Sequence, residues 1–389
     1  MKKTRKLWMV STGSLLGICL LLSAISFVVN LGLPEHSPSV ETLSEVDKIR
    51  LAETIHIRGQ LGDVVFPGWG QTDIPAIIYN EEYVFMTGYS NPPNGWVKVP
   101  AGTQRGYAWE LVPGDSFMDE PYYRQRLSDP GITPEAFTVM VGERWVSSMP
   151  ALDWFKISLV DQISSDLPSF MRPIFPYPLF VGQLVSGSDQ YISLSAHEAF
   201  HSYQGMMNAG KFADAELVNK YEDQYPWDDQ PLQAGWQKEL DLLADALRST
   251  DQEQTLELVR QFITLRISRR ESANLSAEQV AYEQHREWLE GLARYAELEI
   301  WRQAYVSNYM PLSETDNLND FQSYAGFEQR WSRELGQIPR MANDAGDGRF
   351  YYTGMAQAYL LDRFFPDWKS KAFDDNVWLD DMLTSAVQK

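Results

Sequence analysis

Cysteine is almost absent from this chain: Cys19 is the only one in 389 residues. Disulfides are therefore excluded, and the fold must rest on its apolar core. Histidine is scarce too, with five in the chain, so any histidine-based site is drawn from a short list. Positive charge is in deficit: 33 Lys and Arg stand against 53 Asp and Glu, a formal charge of −20. Outside the first six residues nothing basic is clustered, which argues against a nucleic-acid partner, because phosphate contacts need a cationic surface. Internal repeats and low-complexity tracts are also lacking. Apolar and aromatic residues are not scarce, at 44% and 13%. That is ample core for one large domain or two ordinary ones.

One long uncharged run is present. Leu7 to Leu33 follows Lys2, Lys3, Arg5 and Lys6 and precedes Glu35, Glu41, Glu45 and Asp47. It exceeds the roughly 20 residues that a helix needs to cross a bilayer core. The charge asymmetry predicts an uncleaved transmembrane anchor with a cytoplasmic N-terminus and the bulk of the chain extracytoplasmic, a single-pass membrane protein. Ala24-Ile25-Ser26 offers the rival reading of a cleaved signal peptide.

Punctuation along the chain suggests four parts: 1–33 as tip and anchor, 34–60 as stalk and first helix, 61–170 as a mixed α/β subdomain, and 171–389 as a helical subdomain with an insertion at 211–280. Helical spacing begins at Glu45. Ile74–Tyr79 and Glu82–Met86 read as a hairpin, with further strands at Trp96–Val99 and Phe137–Val141. Leu179–Val185 reads as a strand leading into a helix that starts near Ser193 and ends before Gly210. After a break at Asn274-Leu275-Ser276, one long helix is expected from Ala277 to Val306. A last helix runs from Thr353 to Phe365, before Pro366.

The chemistry centres on His197-Glu198-Ala199-Phe200-His201. Two histidines four apart on a helix project from one face, about 40° apart, so one Zn²⁺ can take both imidazoles. Glu198 lies at the rim of that face, placed to accept a proton from a water that the metal activates. A catalytic zinc needs a third protein ligand and an open position. His285 is the only other downstream histidine, so a carboxylate is the natural candidate. Glu290 stands out because Gly291 and Ala293 beside it would allow close helix approach, while Glu283, Glu287 and Glu297 share much of its face.

The pair His-Glu-x-x-His and Glu290-Gly291-Leu292-Ala293-Arg294-Tyr295-Ala296-Glu297 resembles the gluzincin metallopeptidases. The second element is similar to the zinc-ligand helix of the aminopeptidase N family. Phe350-Tyr351-Tyr352-Thr353-Gly354 resembles that family's Tyr-x-Lys-Gly segment, with Thr353 in place of lysine. Residues 202–289 separate the two ligand elements, a far longer spacing than in that family, and no Gly-x-Met-Glu-Asn segment is present. The resemblance therefore implies a gluzincin with a helical insertion, not an aminopeptidase. It implies an α+β, zincin-like fold, helical in its C-terminal half and preceded by the transmembrane helix. It also implies Zn²⁺ on His197, His201 and Glu290, Glu198 as general base, and Tyr351 as oxyanion donor with Tyr352 and Tyr295 as alternatives. The substrate would be a peptide or protein.

Other readings keep the zinc in a binding or regulatory module without proteolysis, or discard it in favour of a structural role. A serine hydrolase built on Gly114-Asp115-Ser116-Phe117 lacks a well-placed histidine partner.

Overall fold

The computed structural model describes residues 21–100, 102–127, 138–185 and 187–388. Helix α1 (Glu45–Val65) leads into the sheet. Ser44 caps it, its hydroxyl accepting from Asp47 N–H at 3.1 Å, which satisfies one of the amides that a helix start leaves free. Among the described residues eight strands follow: β1 (Ala76–Tyr79), β2 (Tyr83–Thr87), β3 (Trp96–Lys98), β4 (Gln104–Arg105), β5 (Glu110–Leu111), β6 (Tyr123–Arg126), β7 (Val139–Val141) and β8 (Arg144–Pro150). They form one sheet in the order β4-β3-β7-β8-β1-β2-β6-β5. The β1–β2 pair is the expected hairpin, antiparallel with Ile77 opposite Met86. β1 and β8 run parallel at the sheet centre. Residues 37–43 are tied onto this sheet: Ser37 N–H donates to Glu81 at 2.7 Å, and Leu43 N–H bonds to the Tyr122 hydroxyl at 3.1 Å.

From residue 152 onward the regular elements among the described residues are helical: α2 (Leu152–Asp166), α3 (Tyr177–Leu184), α4 (Ser188–Met207), α5 (Ala209–Leu217), α6 (Gln230–Arg248), α7 (Gln252–Ser272) and α8 (Ala277–Arg286). A single π-helical turn, Glu287–Gly291, then leads into α9 (Leu292–Val306). After these come α10 (Phe327–Gln337), α11 (Gly348–Phe364) and α12 (Leu379–Val387), along with short helical turns. The main core joins α1, α4, α6, α7, α9 and α11 through residues such as Phe66, Phe200, Trp288, Tyr295 and Leu360. α4 lies against β8 and α9, so it is wedged between sheet and bundle.

Several expectations need correction. Leu179–Val185 is helical over Tyr177–Leu184 and not a strand. An apolar run without alternation has no strand signature of its own, and proline in the first turn favours a helix start. The long helix expected over 277–306 is interrupted by the π turn. Phe137, the expected start of a strand, lies outside the described residues.

The fold class itself is corrected. The chain is a mixed α/β, mostly helical protein, and the expected α+β zincin-like fold with an N-terminal transmembrane helix does not stand. Residues 7–20 of the expected span lie outside the described residues. The described remainder is helical over 21–30 and then turns. Asn30 ends that segment by donating to the carbonyls of Pro173 at 3.1 Å and Phe175 at 2.8 Å. Among the described residues no helix is long and apolar enough to cross a membrane. The single-pass membrane localisation, which rested on that helix, falls with it.

Candidate metal centre

Helix α4 carries both histidines on its buried face. Its last turn can approach the sheet because Gly205 has no side chain: a Cβ there would meet the Trp145 ring at 2.5 Å. The opposing carboxylate comes from the π turn. Gly291 in that turn does not clear space for α4, as its sequence suggested. It clears space for α11, since a Cβ on Gly291 would meet Gly354 Cα at 2.4 Å.

These elements bring His197, His201 and Glu290 together, all buried, as a group that could hold a metal ion. The Nε2 atoms of the two histidines are 3.1 Å apart. Oε2 of Glu290 lies 3.7 Å from His197 Nε2 and 3.4 Å from His201 Nε2. A point about 2.0 Å from all three atoms exists, which is the bond length of imidazole and carboxylate to a small divalent metal. Glu290 Oε2 is buried without a hydrogen-bond donor, whereas its Oε1 accepts from Arg286 at 2.9 Å. A buried carboxylate oxygen left bare is costly unless a cation faces it.

The surrounding groups set the proton positions. His201 Nδ1 is 2.9 Å from Gln204 Oε1. Gln204 Nε2 donates to the carbonyls of Trp288 at 2.9 Å and Leu289 at 3.1 Å. The amide nitrogen therefore faces the carbonyls, its oxygen faces His201, and the His201 proton sits on Nδ1. Its Nε2 lone pair is left for the centre. On the other histidine, Nδ1 lies 3.5 Å from Glu297 Oε2. That is an ion-pair distance and not a close hydrogen bond, and this Nδ1 has no other partner. A carboxylate behind a ligating histidine is a recurrent support of metal sites.

Electrostatics point the same way. Burial alone would lower the His197 pKa, but Glu290 and Glu297 outweigh it and push it up to about 10. Glu290 is held well below the carboxylate range despite its burial, chiefly by Arg286 and His201. The position where the three ligand atoms converge thus demands positive charge. Burial raises the Glu198 carboxyl above its usual range, opposed by attraction to His197 and His201. Glu198 lines a cavity of ≈ 20 Å³ with Arg58, Ile77, Ser147 and Ser195, room for about one water.

The other expected residues separate clearly. The Tyr351 ring stacks on His197, with centroids 5.8 Å apart and planes 10° apart. Burial and the neighbouring Glu290 carboxylate hold its hydroxyl well above its usual pKa. Tyr352 instead donates to Glu334 at 2.8 Å and Tyr295 to Asp362 at 2.7 Å. Of the competing acids, Glu283 is bound by Arg269 and Arg270, and Glu287 by Arg266. His285 donates through Nδ1 to the Ala281 carbonyl at 2.7 Å. It lines a larger cavity of ≈ 570 Å³, which includes Lys211 and Trp378 but no member of the metal group. Sequence reasoning missed Gln204, Arg286 and Glu216. Gln204 lies one turn from His201, so helical spacing alone could have found it. Glu216 comes from the region read as an insertion. Burial pushes its carboxyl up to about 7, against the pull of Arg286.

No family model matches this chain, and neither a curated protein nor a solved structure matches it.

Proposed function

We propose that this protein is a zinc-dependent peptidase of gluzincin type. The observation that carries the reading is the convergence of His197 Nε2, His201 Nε2 and the bare Glu290 Oε2 on one point, with the buried Glu198 next to His197 in the same helix. Two imidazoles and one carboxylate at these separations suit a small, borderline-soft divalent cation, and three protein ligands leave a position open for chemistry. A bound Zn²⁺ supplies Lewis acidity toward a scissile carbonyl and lowers the pKa of water toward neutrality.

The residues do the rest. Glu198, with a carboxyl raised by burial, takes a proton from the attacking water and returns it to the leaving amine. Tyr351, stacked on His197, donates its hydroxyl proton to the developing oxyanion. Its raised pKa keeps that proton in place at neutral pH. Arg286 and Glu297 hold Glu290 and His197 in orientation from behind.

The test has two parts. Metal analysis of the purified chain should find close to one zinc, lost in His197→Ala and His201→Ala. Glu198→Gln should keep the zinc while hydrolysis of a peptide library disappears. A stoichiometric metal with no turnover in the wild-type chain would favour the reading as a binding or regulatory module.

A further inference from the structure

We infer that Gln204 is a positioning residue that couples two metal ligands, His201 and Glu290, through one side-chain amide. The inference rests on the metal-site reading and adds a residue that neither the His-Glu-x-x-His pattern nor the Glu290 helix contains. Gln204 is fully buried. Its Oε1 faces His201 Nδ1 at 2.9 Å, and its Nε2 bonds the carbonyls of Trp288 and Leu289 at 2.9 and 3.1 Å. Those two carbonyls belong to the π turn, and Leu289 immediately precedes Glu290.

Each contact has a physical consequence. The acceptor at Oε1 keeps the His201 proton on Nδ1 and leaves Nε2 as the ligand atom. The donor at Nε2 adds a partner where the π register offsets the ordinary backbone ladder. It ties that stretch of backbone to α4, the helix that carries both histidines. The amide can do both only in one orientation, because the carbonyls accept only from nitrogen. Rotation of α4 against the π turn would therefore break the His201 support and the Glu290 support together. His197 and Glu290 have their own anchors in Glu297 and Arg286, whereas Gln204 bonds one ligand directly, His201, and the backbone immediately before another, Glu290. Its effect belongs to the geometry of the centre, not merely to the stability of the fold.

Substitution at Gln204 separates these roles. Gln204→Glu keeps an acceptor, now charged, toward His201 and removes the donor to the π turn. Gln204→Met keeps the shape and removes both. Full-length proteins would be freed of metal and titrated with Co²⁺, whose visible absorption reports ligand number and geometry, and with Zn²⁺ against a chelator. Circular dichroism would confirm the folded state at the temperature used. Loss of a supporting partner at a metal ligand costs about 10- to 100-fold in affinity. Gln204→Met should show that loss together with a changed Co²⁺ spectrum. Gln204→Glu should also bind at least about tenfold more weakly, although its carboxylate is the stronger partner for His201. Should Gln204→Met fail to fold, Gln204→Glu decides alone. Binding by Gln204→Glu as tight as wild type, or tighter, would overturn the coupling and leave the metal reading intact. A lowered melting temperature with unchanged affinity and spectrum would likewise overturn it. Failure of the wild-type chain to bind either ion would overturn both.

Discussion

At the scale of single residues, the centre is defined by a proton that a metal would replace. In the metal-free protein His197 has its pKa raised to about 10, because Glu290 and Glu297 outweigh burial. A histidine raised in the folded state stabilises the fold fully below its unfolded pKa of about 6.5, and that contribution is lost as the pH rises toward about 10. Metal must displace this proton, so binding at pH 8 should release it. Glu297→Gln removes one of the two carboxylates responsible. The wild-type chain should therefore release more protons per metal than Glu297→Gln at pH 8, by a fraction of a proton up to about one. Calorimetry in two buffers of different ionisation enthalpy measures this. Equal proton counts would show that Glu297 does not hold the His197 proton. The neighbouring Glu216 has a dependence of the same sign at lower pH, caused by burial and not by ion pairing. Its folded pKa is raised from 4.5 to about 7, so the folded state binds the extra proton and stability falls as the pH climbs through that window. In the metal-free protein Glu216→Gln should be near neutral at pH 5 and more stable than wild type at pH 8, read as a melting-temperature difference between the two pH values.

At the scale of elements, the π turn decides where the third ligand sits. Two glycines make it possible. A Cβ on Gly354 would meet the Glu287 carbonyl oxygen at 2.2 Å and Gly291 Cα at 2.7 Å. Both obstacles are backbone, so α11 and the π turn would have to separate. Gly354→Ala should cost about 1–3 kcal/mol or more and weaken metal binding in the same variant, because Glu290 moves with its turn. Gly336→Ala in α10 is the control: nothing lies within 4 Å of its Cβ position. There alanine should be neutral or stabilise by about 0.4–1 kcal/mol. Denaturant titration with metal titration checks the pair, and a fully stable, metal-tight Gly354→Ala would refute the argument. The same turn shows what the sequence could reveal. Spacing alone put His197 and His201 on one face, and small residues singled out the Glu290 helix. Yet the partner of Gly291 is α11, not α4, since a small residue announces close packing without naming what packs there. The π break was illegible because a register offset leaves no mark on a periodicity already interrupted by Trp288-Leu289. The uncharged run at 7–33 misled for a related reason: hydropathy measures what a segment could cross, not how its described part folds.

At the scale of the whole molecule, residues 211–280, read from the sequence as an insertion, are tied to the π turn by buried ion pairs. Arg266 of α7 holds Glu287 of the π turn through two bonds, at 2.8 and 2.7 Å, and Glu239 of α6 at 3.1 Å. Arg269 binds Glu283 at 2.7 and 3.0 Å and also Glu239. Arg270 spans Glu283 and Asp380 of α12, each at 2.8 Å. Glu283, held by these guanidiniums, lies far below the carboxylate range despite complete burial. Such a network contributes little beyond what apolar packing would supply, but removing one partner strands the rest. Arg266→Ala should therefore cost about 3–5 kcal/mol and weaken metal binding through Glu287, three residues before Glu290. Replacing both partners, Arg266→Met with Glu287→Gln, should recover part of the stability, because the Glu287 charge no longer faces an empty place while Glu239 keeps Arg269 and Asp380 keeps Arg270. Gln357, which donates to Glu287 Oε2 at 2.8 Å, can still bond the glutamine carbonyl. Urea unfolding of the two single variants and the double variant gives the coupling free energy directly. Additive losses would mean that the helices of 211–280 pack beside the centre without holding it in place.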